Sequence, residues 1–310
     1  MPVDDSFTKA LLHFNGVDAS TTFTDESGKT WTARGNAQID TAQSKFGGSS
    51  YLSDGTTDWI DTPDSADFDI GAGDFTFDFW VRFNSVAAQQ AFFSHDENVA
   101  GNRAYQLSWN NATNLISFAY TTTGSVPFTS IDLSWTPSTN TWYHVEVVRS
   151  GNNFYIFIDG TQIGTTQTLS ATIFNCTHVF QIGVIGSTGL RSLNGWIDEF
   201  RFSKGIARHT ANFTPPTSPY KHSVSLTGAM TITGALIKST RRGLSGSVAL
   251  AGSLVKQARK TLLATIALAG TLFDIFPDRD IVDSPRNSYL VADDLGVDIV
   301  SPPTNTYLVG

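Results

Sequence analysis

The chain holds a single cysteine, Cys176, in 310 residues. No intrachain disulfide can form, and no thiolate cluster is available to a metal. Charge is scarce as well: Asp, Glu, Lys and Arg make up 15% of the residues, low for an ordinary soluble protein. The net charge of −8 leaves no global basic field of the kind that holds nucleic acid. Long apolar runs are missing. The longest, Leu262 to Phe273, has 12 residues, whereas a membrane-crossing helix needs about 20. The start, Met1-Pro2-Val3-Asp4-Asp5, lacks the basic region and apolar core of a signal peptide, so synthesis in a cytoplasm is expected. No convincing helical periodicity appears.

Gly, Ser, Thr and Phe are abundant instead, as in an all-β protein with many turns. The clearest strand is 74–83. Phe75, Phe77, Phe79, Val81 and Phe83 fall on one face, while Asp74, Thr76, Asp78, Trp80 and Arg82 fall on the other, which reads as wet or half-covered. Further short strands are expected at 7–15, around Trp31–Ala33 and Ala37–Ile39, and at 51–52, 58–61, 92–93, 105–109, 115–120, 141–149, 154–158 and 195–203. Asn110-Asn111, Asn152-Asn153 and Asp159-Gly160 mark turns, the last being the strongest hairpin signal. About a dozen short strands with regular turns predict two packed antiparallel sheets. In the last strand Trp196, Asp198, Phe200 and Phe202 are expected on one face, with Asp198 pointing inward to bond a turn.

Six stretches carry a family resemblance: Leu11-Leu12-His13-Phe14-Asn15-Gly16, Phe46-Gly47-Gly48-Ser49-Ser50, Gly73-Asp74-Phe75-Thr76 through Trp80-Val81, Trp142-Tyr143-His144-Val145, Ile158-Asp159-Gly160, and Gly195 to Ser203. Over about residues 7–220 the chain resembles laminin-G-like, concanavalin A-like lectin domains, in the versions carried on tailed-phage virion proteins. The resemblance implies a jelly-roll sandwich, a sugar-binding role and residence on a virion. Host surface polysaccharide and other virion proteins would then be its partners, as tail appendage or capsid decoration.

Past Pro219 the composition changes. Residues 1–220 hold 11 basic and 21 acidic side chains, residues 221–273 hold 7 basic and none acidic, and residues 274–310 hold 2 basic and 7 acidic. An apolar pattern recurs three times with an 18-residue period, starting at Leu226, Leu244 and Leu262; a second pair starts at Asp280 and Asp298. Three domains are expected: a sandwich over 1–220, a repeat region over 221–273 and an acidic tail over 274–310. The repeat strands place Leu226, Met230, Ile232, Leu236, Val248, Leu250, Leu254, Ile266, Leu268 and Leu272 on an apolar seam. Such a seam is too small to stand alone, so homo-oligomerisation, with a trimer favoured, or attachment to a particle is expected. A β-helix with an 18-residue turn is an alternative geometry. The basic turns Lys238 to Gly243 and Lys256 to Lys260 lack interleaved aromatics, so nucleic acid is not an expected partner.

Hydrolysis of a glycoside needs two carboxyls about 5–9 Å apart across a cleft. Asp198 and Glu199 are neighbours on a strand and leave on opposite faces; Asp74 and Asp78 stand about 13 Å apart along one. No enzyme and no cofactor are therefore expected. Asp58 sits where related calcium-binding domains offer a first acidic loop. The stretch where a second should lie, Val184 to Asn194, has no carboxylate, so Asp58 reads as a turn cap. The six histidines lack metal spacing. For sugar binding the candidates are Trp59, Arg103, Tyr105 and Trp109, near the loop 95–103, since aromatic faces stack on sugar rings and loops carry function.

Overall fold

The computed structural model describes residues 6–186 and 189–221, together with the backbone of Tyr289–Asp293 and Gly296–Val300. The chain divides into two units, Met1–Met230 and Thr231–Gly310. The first contains strands β1 (Thr8–Leu12), β2 (Thr32–Arg34), β3 (Gln38–Asp40), β4 (Ser50–Asp54), β5 (Trp59–Thr62), β6 (Phe75–Phe83), β7 (Gln90–Asp96), β8 (Arg103–Asn110), β9 (Leu115–Tyr120), β10 (Thr129–Ser134), β11 (Trp142–Ser150), β12 (Asn153–Ile158), β13 (Thr161–Gln162), β14 (Gln167–Thr168), β15 (Phe180–Ile182) and β16 (Asn194–Lys204). In the second unit β17 (Tyr289–Asp293) pairs with β18 (Gly296–Val300) as an antiparallel hairpin. The seam residues from Leu226 to Leu272 and the basic turns lie outside the described residues.

The first unit is the expected two-sheet antiparallel jelly roll. One sheet has nine strands in the order β13-β12-β11-β6-β16-β4-β3, with β1 on β16 and β14 on β12. The other has seven, β10-β9-β8-β7-β15-β5-β2. Alternation on each central strand sends one set of side chains between the sheets. On β6 these are Phe75, Phe77, Phe79, Val81 and Phe83, all fully buried. Phe77 is stacked between Phe93 and Phe202, each at 4.2 Å, and Phe68 lies on Phe180 at 4.4 Å. Each such ring contributes roughly 1.5–3 kcal/mol by leaving water.

The Asp159-Gly160 turn forms as expected, with φ of 49° and 74°. Asp58 is a cap: its carboxylate accepts from Asn36 N at 2.6 Å and Asp54 N at 3.2 Å.

Two expectations need correcting. On β16 the pairing jumps from Asp198↔Trp80 to Arg201↔Asp78, and Glu199 takes a φ of 53°. Two residues, Glu199 and Phe200, thus stand opposite Phe79 alone, which is a β-bulge. The bulge splits the face expected to be shared: Phe200 and Phe202 pack between the sheets, while Trp196 and Asp198 lie on the outer side with Arg82 and Trp80. The second correction concerns the outer face of β6, expected to be wet or half-covered: Asp74 and Arg82 at its ends are half-buried, but its centre is fully covered. Thr76 and Asp78 are 0% exposed and Trp80 is 5% exposed.

Candidate functional site

Two segments cover that outer face: the Lys45-Phe46 turn lies on Trp80, and the segment that follows β16 covers Thr76 and the row beside it. Cross-strand register sets Glu146 of β11 opposite Asp78 of β6, with Arg201 of β16 on the other side of Asp78. This transverse row of three charged residues is at most 1% exposed. The next row is His144, Trp80 and Asp198. Arg201 Nε and Nη2 both donate to Asp78 Oδ2, at 3.1 and 3.0 Å. Arg201 Nη1, Asp78 Oδ1 and His144 Nδ1 are sealed from solvent without hydrogen-bond partners.

Residues 205–220 form a strap over these rows. Gly205, with φ of 85°, turns the chain back on itself. Pro215, Pro216 and Pro219 then deny the strap helical continuation. Its anchors are side chains of the sheet. Thr76 Oγ1 donates to Ile206 O and accepts from Arg208 N, both at 3.0 Å. His209 Nδ1 meets the Glu146 carboxylate at 2.9 Å. Phe213 N donates to Gly160 O at 2.9 Å, and a Cβ on Gly160 would lie 2.0 Å from Phe213 O. The turn glycine therefore also seats the strap. At the far end Tyr220 N donates to Glu199 Oε2 at 2.8 Å. The Tyr220 hydroxyl meets His144 Nε2 at 3.1 Å, and its ring lies 3.9 Å from the Arg201 guanidinium carbon.

Between strap and sheet lies a cavity of about 320 Å³. Its floor is His144, Glu146 and Arg201; Phe213, His209 and Tyr220 form walls with the prolines. Burial dominates the electrostatics. It raises the Glu146 carboxyl against the opposing bond from His209, and it lowers His144 to about 4. Asp198 rises to about 7 by burial, in spite of bonds from Phe46 N and Lys45 N. These two amides belong to a turn, so the expectation that Asp198 bonds one is met, but on the outer side. Glu199 likewise finds outer partners in His13 and Tyr220. The two neighbouring carboxylates do not leave on opposite faces, because the bulge interrupts the alternation.

The sequence candidates fall elsewhere. Tyr105 and Trp109 are 1% and 2% exposed, on the inner face of β8 with Leu107. Tyr105 Oη donates to Phe68 O at 2.9 Å and Trp109 Nε1 to Trp135 O at 3.0 Å. Neither ring offers a face to a sugar, which corrects that reading. Trp59 is half-buried, its Nε1 donating to Asp61 at 3.2 Å beside the Arg34–Asp61 ion pair. Arg103 is half-buried, donating to Asn98 O at 2.7 Å and lying over Phe128. Strands β7 and β15 separate them, a gap of about 14 Å at the usual strand spacing.

The groups that do converge had only a partial signal. His144 and Glu146 alternate on the outer face of β11, but only the register shows that they meet Asp78 and Arg201. His209 and Tyr220 sit in a stretch without periodicity.

Residues 54–209, half of the chain, match the Concanavalin A-like lectin/glucanases superfamily. No curated protein sequence matches the chain. Among solved structures it is similar to the binding domain of Paraclostridial Mosquitocidal Protein 1, at 17% identity and a TM-score of 0.49, covering 65% of this chain and 49% of that one. The binding domain of botulinum neurotoxin serotype G gives 16%, 0.48, 64% and 48% for the same quantities. Domain 4 of AbnA, an extracellular arabinanase from Geobacillus stearothermophilus, in complex with arabinotriose, gives 19%, 0.47, 66% and 95%. The chain thus spans about half the length of the two toxin domains. The protein belongs to the concanavalin A-like lectin/glucanase superfamily.

Proposed function

We propose that this superfamily member binds glycan without cleaving it, in the cavity beneath the strap, and serves as a receptor-binding appendage of a bacteriophage virion. The observation that carries the binding site is the cavity itself. Half-buried Phe213 supplies aromatic surface for the CH face of a sugar ring. His209, whose side chain is 30% exposed at the wall, supplies a polar group for ring hydroxyls. Binding without hydrolysis follows from the pairing of the carboxylates. Asp78 is held by Arg201 and Glu146 by His209, so neither stands free as acid or nucleophile.

The virion role is supported by the resemblance of residues 7–220 to tailed-phage domains and by the 18-residue repeats after Pro219. On this reading residues 221–310 join copies of the chain into a trimer or fix it to the particle. The test is a glycan array of bacterial surface polysaccharides probed with the full-length protein. Saturable binding is expected, with a trimer mass by light scattering on the same sample. Failure to bind any polysaccharide would favour a decoration protein, and a monomer mass would remove the assembly role.

A further inference from the structure

A second set of side chains converges around the short turn between β5 and β6. Asp64, Asp69 and His95 each place one ligand atom within 4.8 Å of the others. The sequence brings them together through one short 3-10 turn, Ala66–Phe68, whose N-cap is Ser65. Asp64 precedes the cap and Asp69 closes the turn; His95 reaches them from the end of β7. Their spacing along the chain carries no metal signature, which is why the histidines read as scattered.

Three details distinguish this corner from an ordinary acidic surface. His95 is 0% exposed. Its Nε2 lies 3.2 Å from Asp64 Oδ1 and 2.8 Å from the backbone oxygen of His178. Both are hydrogen-bond separations, and they hold the nitrogen and two oxygens near enough to share one ion. Second, a polar atom is left over: Asp69 Oδ1 is sealed from solvent without a partner, while Asp69 Oδ2 accepts from Asn175 at 3.0 Å. Third, the charge is uncompensated. Among the described residues no Lys or Arg forms an ion pair with Asp64 or Asp69. Lys29 and Lys9 go to Asp67 instead, and Lys204 acts on Asp69 only through its field.

We propose that Asp64, Asp69 and His95, with the backbone oxygen of His178, form a binding site for a divalent first-row transition metal. One imidazole among oxygens suits zinc or its neighbours; calcium and magnesium favour oxygen-only sets. The metal takes the place of the Nε2 proton, and the ring stays neutral with its proton on Nδ1. Bound metal ties the 3-10 turn to β7. The site is independent of the strap cavity.

The test is calorimetric titration of the full-length protein with ZnCl2, alongside its melting temperature. Asp64→Asn alters a side chain that is 31% exposed, and Asp69→Asn keeps an oxygen for Asn175, so both variants are expected to fold. Zinc should bind saturably and raise the melting temperature. Each variant should weaken binding about tenfold or more. Absence of saturable zinc binding would overturn the proposal, as would equal affinity in both Asp variants. Calcium binding in preference to zinc would overturn the assignment of a nitrogen ligand.

Discussion

Phe77 and Asp78 are neighbours on β6, and both are 0% exposed. They are buried for different reasons. Phe77 points between the sheets, where aromatic rings from both layers close around it. Asp78 points outward, and is dry because Arg201 pairs with it and the strap lies across that row. The inner layer follows from alternation and would exist in any sandwich of this kind. The outer one depends on where the chain goes after Lys204. A gap in the apolar layer costs packing in proportion to the volume lost, while a gap in the ionic layer leaves a buried partner unsatisfied.

Two substitutions sharpen this contrast most. Phe77→Ala should cost about 3–5 kcal/mol in urea unfolding of the full-length protein, since it leaves a cavity among fixed rings. Arg201→Met should cost about 3 kcal/mol, because it leaves the Asp78 carboxyl buried without its partner. Adding Asp78→Asn to Arg201→Met should recover most of that second loss. A double variant as unstable as the sum of its parts would show that the ionic row is not a coupled unit.

A smaller effect concerns pH. The folded pKa of Asp198 lies near 7, above its ordinary carboxyl value of 3.8. Between these values the folded state holds a proton that the unfolded state has lost, so this group's contribution to stability falls as pH rises from about 4 to about 7. His144 works in the opposite sense. Its folded pKa is lowered to about 4, so its contribution rises with pH from about 4 to 6.5. Asp198→Asn removes only the first trend. The variant should gain on the wild type by a few kcal/mol at most across that window, at about 1.4 kcal/mol per unit of pH. Parallel stability curves for the two proteins would remove the role given to Asp198.

The same contrast explains what was readable from residues alone. The inner layer was legible because alternate positions on β6 and in the last strand are large and apolar, and the Asp159-Gly160 turn and the Asp58 cap follow from local chemistry. Tyr105 and Trp109 were legible too, had the alternation with Leu107 been weighed above their nearness to a loop. The outer layer was not. Nothing in the sequence marks Glu199 as the site of a bulge, and without it the faces of β16 are misassigned. The pairing of Glu146, Asp78 and Arg201 depends on register across three strands, from positions far apart in the chain. The proline-rich stretch reads as an exit, and its course over Gly160 is fixed by tertiary contacts with Phe213.

Sugar is expected to bind in the strap cavity, at Phe213. With a polysaccharide selected on the array, the affinity of full-length Phe213→Ala should fall about tenfold or more relative to wild type, while Trp59→Ala should bind as the wild type does. Loss of binding in Trp59→Ala with full retention in Phe213→Ala would move the site to the seven-stranded sheet and contradict the assignment of the strap cavity.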